Sequence, residues 1–135
     1  MELFIFANAN LKTFTNAIHI IKLEHPALSS VCLVCVDGTS EHESLSQIRA
    51  CLGKEVEVFI KHINRNELHK RLPTLLADRA NKCDRLLVDL LNGTKQMTAV
   101  LYASASLLKL EDIIYPNVRR SAYEKEPHEL TPDDY

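Results

Sequence analysis

Residues 86–99 read Leu86-Leu87-Val88-Asp89-Leu90-Leu91-Asn92-Gly93-Thr94-Lys95-Gln96-Met97-Thr98-Ala99. The nearly continuous apolar run at the start is typical of a strand that is covered on both faces of a parallel sheet. Asn92 and Gly93 follow, and because both residue types tolerate a positive φ, the pair predicts a turn. Thr94 can then cap a helix whose first turn contains Lys95. The stretch therefore predicts a strand, a turn and a helix in direct succession.

The rest of the chain alternates in the same way, with short apolar runs separated by polar or helical patterns. We predict strands at 2–7, 30–36, 56–60, 85–90 and 112–115, and helices at 11–23, 40–52, 67–80 and 94–108. Strands that alternate with helices favour βαβ units. The predicted fold class is therefore α/β, a Rossmann-like three-layer sandwich with a mainly parallel sheet of five or six strands.

Local signals set the ends of the predicted helices. Ser40 followed by Glu43 has the pattern of a capping box, which predicts that the Ser40 side chain caps the second helix. Gly53 marks the end of that helix. Pro73 lies inside the third helical pattern, and we expect it to kink or shorten that helix because proline lacks an N–H donor.

Length, charge and hydropathy limit the classes of function. The chain has 135 residues, which suits one domain over 1–120 followed by a polar tail or linker over 121–135. A net charge of −2 argues against binding long nucleic acid. No apolar stretch reaches the roughly 18 residues of a membrane span, and the N-terminus resembles a strand rather than a signal peptide. We expect a cytoplasmic protein that does not bind membranes.

Cys32 and Cys35 have C-x-x-C spacing inside the predicted second strand. Residues three apart on a strand point to opposite faces, so we interpret the two thiols as buried, reduced core residues rather than a metal or redox pair. The histidines are scattered without the spacing of metal ligands. We expect neither a metal nor a cofactor.

The turn at 92–95 also has the chemistry of an anion site. Exposed N–H groups at a helix N-terminus, the Thr94 hydroxyl and the Lys95 ammonium together suit a phosphate. In open parallel sheets, ligands bind beyond the carboxyl ends of the strands, which selects the loops at 8–10, 37–40 and 92–95. The G-x-x-x-x-G-K spacing of a P-loop is missing. The plain alternative is a strand–turn–helix with a solvated Lys95.

The pattern Asp89-x-x-Asn92-Gly93-Thr94-Lys95-x-Met97 resembles the signature of CARF domains, the CRISPR-associated Rossmann-fold sensors of cyclic oligoadenylates in type III antiviral signalling. In that family the turn commonly reads Thr-Gly-Gly-Thr-Lys-x-Met. Leu91 here replaces the Thr, which removes one hydroxyl, and Asn92 replaces the first Gly. The resemblance covers the element order over about 1–118 and residue identity mainly over 89–97.

The resemblance implies a homodimer that binds a cyclic oligoadenylate, with cyclic tetra-adenylate as the expected ring, across its two-fold axis. Gly93, Thr94 and Lys95 would hold the phosphates, and the loop at 8–10 would meet the adenine or ribose. Asp37, at the end of the second strand, is a candidate for a ribose hydroxyl or an ordinary turn residue. The expected ligand-binding residues are Asn8, Ala9, Asn10, Asp37, Asn92, Gly93, Thr94, Lys95 and Met97. An effector, fused or separate, would receive the signal.

Two other functions stay open. A stand-alone ring nuclease would cut the same ligand without metal, through attack of a ribose 2′-OH on the neighbouring phosphate. Lys95 would be its catalytic residue by stabilising the transferred phosphate, with Asn8 or Asn10 orienting the hydroxyl. A Rossmann-like protein outside CRISPR biology would bind an ordinary mononucleotide in the same crevice.

Overall fold

The computed structural model describes residues 1–38 and 40–116. The elements are β1 (Glu2–Phe6), α1 (Leu11–Glu24), β2 (Ser30–Val36), α2 (Glu41–Leu52), β3 (Glu57–Ile63), α3 (Leu68–Lys82), β4 (Leu86–Asp89), α4 (Lys95–Leu107) and β5 (Ile113–Ile114). A 3-10 turn over Arg65–Glu67 precedes α3. Thr39 and the predicted tail at 121–135 lie outside the described residues.

The five strands form one parallel sheet in the order β3-β2-β1-β4-β5. The chain first builds outward from β1 through β2 to β3. It then returns to the other side of β1 to add β4 and β5. The strand order therefore reverses between β1 and β4, which is where open α/β sheets bind ligands. The predicted Rossmann-like α/β sandwich is confirmed, with five strands that are all parallel in the described part of the chain.

The sheet separates two apolar cores because the side chains of β1 alternate between its faces. Leu3 and Ile5 pack with residues of α1 and α2, whereas Phe4 and Phe6 pack with residues of α3 and α4. All five residues of β1 are buried. A central strand of this kind fixes the position of the loop that follows it, and that loop borders the candidate site.

Cys32 and Cys35 belong to different cores, as their spacing predicted. Burial raises the pKa of the Cys32 thiol to about 12 and that of Cys35 to about 11. Both thiols therefore remain protonated at neutral pH, and their role in the described structure is packing.

Ser40 does not cap α2 with its side chain, so the capping-box prediction is wrong. Its backbone is left-handed, with φ 59° and ψ 22°, and its side chain makes no capping hydrogen bond. A capping side chain needs an extended backbone to reach the N–H groups of the first turn. The Ser40 carbonyl still accepts a hydrogen bond from Ser44 N over 3.0 Å, and Ser40 lines the crevice described below.

Pro73 does not shorten α3, which continues for 15 residues from Leu68 to Lys82. The missing N–H leaves the His69 carbonyl without its helical partner, but His69 is exposed and water can replace that bond. Burial of Leu72 and Leu76 on either side of the proline supplies the stability that the helix needs. α3 is the longest described helix, and no helix of the described residues is long and apolar enough to cross a membrane.

Candidate functional site

The loops that follow β1, β2, β3 and β4 meet at the carboxyl edge of the sheet and enclose a crevice of about 320 Å³. Residues 7–9 form one wall, and residues 92–94 with Met97 form the facing wall. Val36, Ser40 and Arg65 close the side toward β3. Six of the predicted ligand-binding residues line this crevice: Asn8, Ala9, Asn92, Gly93, Thr94 and Met97. The other three, Asn10, Asp37 and Lys95, do not.

A chain of hydrogen bonds crosses the point at which the strand order reverses. The Asp89 carboxylate accepts from Asn92 twice, from Nδ2 over 2.9 Å and from the backbone N over 3.2 Å. Asn92 Oδ1 in turn accepts from Asn8 Nδ2 over 2.9 Å. Asn8 Oδ1 then accepts from the backbone N of Asn10 over 2.9 Å. The chain ties the loop after β1 to the turn after β4.

The direction of this chain follows from Asp89. An ionised carboxylate only accepts hydrogen bonds, so Asn92 must turn its NH₂ group toward it and its oxygen toward Asn8. Asn8 therefore uses both ends of its amide inside the protein. Asn10 caps α1, its Oδ1 accepting from Thr13 N over 3.2 Å. The structure gives these asparagines a role in fixing the crevice walls, which sequence patterns alone did not show.

Asp89 is completely buried at the end of β4. Desolvation raises the pKa of its carboxyl to about 6, although the hydrogen bonds from Asn92 act in the opposite direction. Within the described residues, its Oδ1 atom has no hydrogen-bond partner. A buried carboxylate with one unpartnered oxygen is costly, which makes the two bonds from Asn92 important for stability.

Gly93 is needed for close packing rather than for a positive φ. Neither Asn92 nor Gly93 has a positive φ, so that reason for predicting a turn is wrong. A Cβ atom at Gly93 would lie 3.0 Å from Thr98 Oγ1 and 3.1 Å from the Phe6 ring. Thr94 caps α4 as predicted, its Oγ1 accepting from Met97 N over 3.3 Å. The turn thus places the backbone tightly against the core at the start of α4.

Lys95 is exposed and lines a second cleft of about 480 Å³ on the other side of Gly93. Leu90, Leu91, Thr98 and Ala99 form most of its wall, and Tyr102 and Tyr115 complete it. The two tyrosines are 55% and 64% exposed, which is unusual for large aromatic side chains.

Sequence analysis did not select these tyrosines, although their positions in the chain could have pointed to them. Tyr102 lies two helical turns after Lys95, which puts both residues on the same face of α4. Tyr115 directly follows β5, at the carboxyl edge of the sheet. Gly93 lines both the crevice and this cleft, so the two spaces are neighbours.

Asp37 holds Arg65 instead of facing the crevice. Its Oδ1 accepts from the Arg65 backbone N over 2.8 Å, and its Oδ2 lies 3.6 Å from Arg65 Nε. Arg65 itself lines the crevice. The sequence missed Arg65 because β3 was predicted to end at residue 60, whereas the strand continues to Ile63. Arg65 is therefore only two residues beyond the carboxyl end of a strand.

The crevice and the neighbouring cleft together present cations, hydroxyls, amides and aromatic rings. Arg65 lines one and Lys95 the other, and no carboxylate or imidazole is among the described residues that line either. The described residues also contain no group of three or more His, Cys, Asp or Glu side chains placed to hold a metal ion. Such a lining suits binding of an anion that also carries hydroxyls and a planar ring.

Comparison with known proteins assigns the chain to no family. No protein-family model matches the sequence, and no curated protein shows significant sequence similarity to it.

Proposed function

We propose that this protein binds a cyclic oligoadenylate as a CARF-like sensor of type III CRISPR antiviral signalling, with the ligand lying across a homodimer. The observation that carries the proposal is the crevice at the reversal of strand order. There, the Asn8–Asn92 hydrogen bond holds the loop after β1 against the Gly93-Thr94 turn at the N-terminus of α4. This is the position in which Rossmann-like sheets bind nucleotides.

The charges around Gly93 favour a phosphate. The N-terminus of α4 carries a partial positive charge, and its first helical residue, Lys95, adds a full one. A cation in the first turn of a helix is unfavourable unless an anion accompanies it. A bound phosphate would remove that repulsion and would also accept hydrogen bonds from the N–H groups at the start of the helix.

The cleft next to the crevice suits an adenine ring. Tyr102 and Tyr115 offer aromatic faces, and Leu91 and Ala99 offer apolar contact. Planar rings stack well on such surfaces. Because the cleft and the crevice share Gly93, a nucleotide could place its phosphate at the turn and its base between the tyrosines. We therefore place the base here, rather than at the loop of residues 8–10.

Two observations support the proposed dimer, namely the small volume of the crevice and an exposed apolar side chain on α4. A crevice of about 320 Å³ is at the small end of ligand sites, so one copy would contact only part of a cyclic tetranucleotide. A two-fold dimer would offer each turn twice, in keeping with the internal symmetry of that ligand. Near the end of α4, Leu107 is 85% exposed, which suits contact with a second copy.

The test is to mix the full chain with cyclic tri-, tetra- and hexa-adenylate and to measure binding by calorimetry and mass in solution by light scattering. We expect one intact ring to bind with one ligand per dimer. Lys95→Ala should weaken binding about tenfold or more, since a charge-assisted contact is lost. Lys70→Ala, at an exposed lysine in the first turn of α3, is the matched control and should leave affinity unchanged.

The same mixtures distinguish the proposal from its alternatives. Chromatography of the ligand that shows linear products with a cyclic phosphate end would make the protein a ring nuclease, with Lys95 as the group that stabilises the transferred phosphate. Absence of binding to all three rings, together with binding of AMP or ATP, would make it an ordinary mononucleotide binder. Absence of both would overturn the assignment of the Gly93-Thr94 turn.

A further inference from the structure

Arg65 is a cation at the crevice that the resemblance to CARF domains does not assign. It begins the 3-10 turn Arg65–Glu67, directly after β3. Its side chain is 60% exposed and lines the crevice on the side toward β3. Lys95 lines the other cleft. Of the described residues that line the crevice, Arg65 is therefore the one whose side chain carries a charge.

Asp37 fixes the position of Arg65 at two points. It accepts the backbone N–H over 2.8 Å and approaches the guanidinium at Nε, 3.6 Å away. Within the described residues, Asp37 is the one ion-pair partner of this guanidinium. The edge formed by Nη1 and Nη2 is therefore available, and that edge can bind a phosphate through two parallel hydrogen bonds.

Because Asp37 already restricts the Arg65 side chain before a ligand binds, the entropic cost of binding is lower. The contact with Asp37 is on the Nε side and is long for an ion pair. It therefore orients the guanidinium while neutralising only part of its charge.

We infer that Arg65 is an anion-binding residue of the crevice and contacts a phosphate of the ligand from the side opposite the Gly93-Thr94 turn. This inference rests on the proposed nucleotide function and adds a second cation to it. A ligand with two or more phosphate groups would then meet Arg65 on one side of Gly93 and Lys95 on the other. The recognised class is a phosphate-rich nucleotide rather than a neutral or singly charged metabolite.

The test uses sodium pyrophosphate as the probe and the amide resonances of the full chain as the readout. We expect saturable shifts at Arg65, Gly93 and Thr94 at millimolar concentrations. Arg65→Gln should weaken pyrophosphate binding about tenfold, the effect of losing charge-assisted hydrogen bonds. The unperturbed part of the spectrum would show that the variant is folded, as the exposure of this side chain leads us to expect.

Arg71→Gln is the matched control. Arg71 is 56% exposed and is also paired with one carboxylate, Glu67, but it lies on α3 and does not line the crevice. The inference is overturned if Arg65→Gln binds pyrophosphate as tightly as the unchanged protein. It is overturned equally if Arg71→Gln loses as much affinity, or if pyrophosphate causes no saturable shift at these amides.

A parallel titration with cyclic tetra-adenylate separates this inference from the proposed function. Binding of the cyclic ligand with equal affinity in Arg65→Gln and the unchanged protein would reject Arg65 while supporting the proposed function. Arg65-dependent binding of pyrophosphate without binding of any cyclic ring would do the opposite.

Discussion

Asn8 and Asn92 are hydrogen-bonded to each other across the reversal of strand order, with Asn8 Nδ2 donating to Asn92 Oδ1 over 2.9 Å. The bond joins the loops after β1 and β4, which are separated by 84 residues along the chain. Because Asn92 also donates to the buried Asp89, the position of both crevice walls depends on a carboxylate at the end of β4. The site and the stability of the fold are therefore coupled.

Asn92→Ala should destabilise the protein more than Asn8→Ala. The first change removes a donor from a buried carboxylate, which we expect to lower the free energy of unfolding by about 2 kcal/mol. The second removes two bonds between neutral groups, one of them exposed, at a cost of about 1 kcal/mol. Urea unfolding of both variants measures this order. Equal losses would show that Asp89 does not depend on Asn92.

Gly93→Asn should cost several times as much stability as Gly38→Asn. At Gly93 a Cβ would press on Thr98 Oγ1 at 3.0 Å and on the Phe6 ring at 3.1 Å, and such crowding costs about 1–3 kcal/mol. At Gly38 the φ is 71°, a left-handed conformation that asparagine adopts at a smaller cost than most side chains, and no atom lies within 4 Å of the added Cβ. Thermal unfolding of the pair checks the difference. Equal midpoints would mean that the turn relaxes around the new side chain.

The sequence could predict the fold because each element carries its own local signal. The apolar run of β2 and the cap at Thr94 depend on residues close together in the chain, and both predictions are confirmed. The predicted end of β3 was wrong for a physical reason. β3 is an edge strand, so Lys61 and His62 can sit in it without entering the core, and their polarity looks like the start of a loop.

The site was less predictable because its contacts join distant residues. That Asp37 would bind the backbone of Arg65, 28 residues away, has no signature in a single sequence. Likewise, the orientation of Asn8 depends on Asp89 through Asn92, three residues at the ends of two strands that become neighbours only when the sheet forms. Most residues that line the crevice could be predicted, but the sequence could not show which of them hold its walls in place and which face its open space.

Arg79→Met should destabilise the protein strongly, by about 3–5 kcal/mol. Arg79 makes two hydrogen bonds to Glu2, of 2.8 and 2.6 Å, and its guanidinium lies 4.0 Å from the centre of the Phe59 ring. Glu2 is 1% exposed, so removal of the cation leaves a buried carboxylate almost unpaired. Urea unfolding measures the loss.

Two further variants test the cause of that loss. Arg71→Met removes an exposed arginine of the same helix and should cost less than about 1 kcal/mol. The double variant Glu2→Leu with Arg79→Met removes both charges and should recover most of the stability. A double variant as unstable as Arg79→Met alone would assign the loss to packing against Phe59 rather than to the unpaired charge.

The buried carboxyl of Asp89 should make stability fall as the pH rises from about 4 to about 6. Burial raises its pKa from 3.8 in the unfolded chain to about 6 in the folded protein. Between these values the folded state binds more protons than the unfolded state, so the contribution is complete at low pH and is lost as the pH passes the folded pKa. Its size is on the order of 3 kcal/mol, because each pKa unit of this shift corresponds to about 1.4 kcal/mol.

The test compares the free energies of unfolding of the unchanged protein and of Asp89→Asn. Each is measured by urea titration at several pH values across this range. Other titrating groups largely cancel in that difference, including Asp112, whose pKa is lowered mainly by its hydrogen bond from Arg85 and which therefore acts in the opposite direction. Asp78→Asn, at a carboxylate that is 47% exposed, is the matched control for the replacement of an aspartate by asparagine outside the core. A difference that stays constant with pH would show that Asp89 titrates at its ordinary value, and that water reaches this carboxyl.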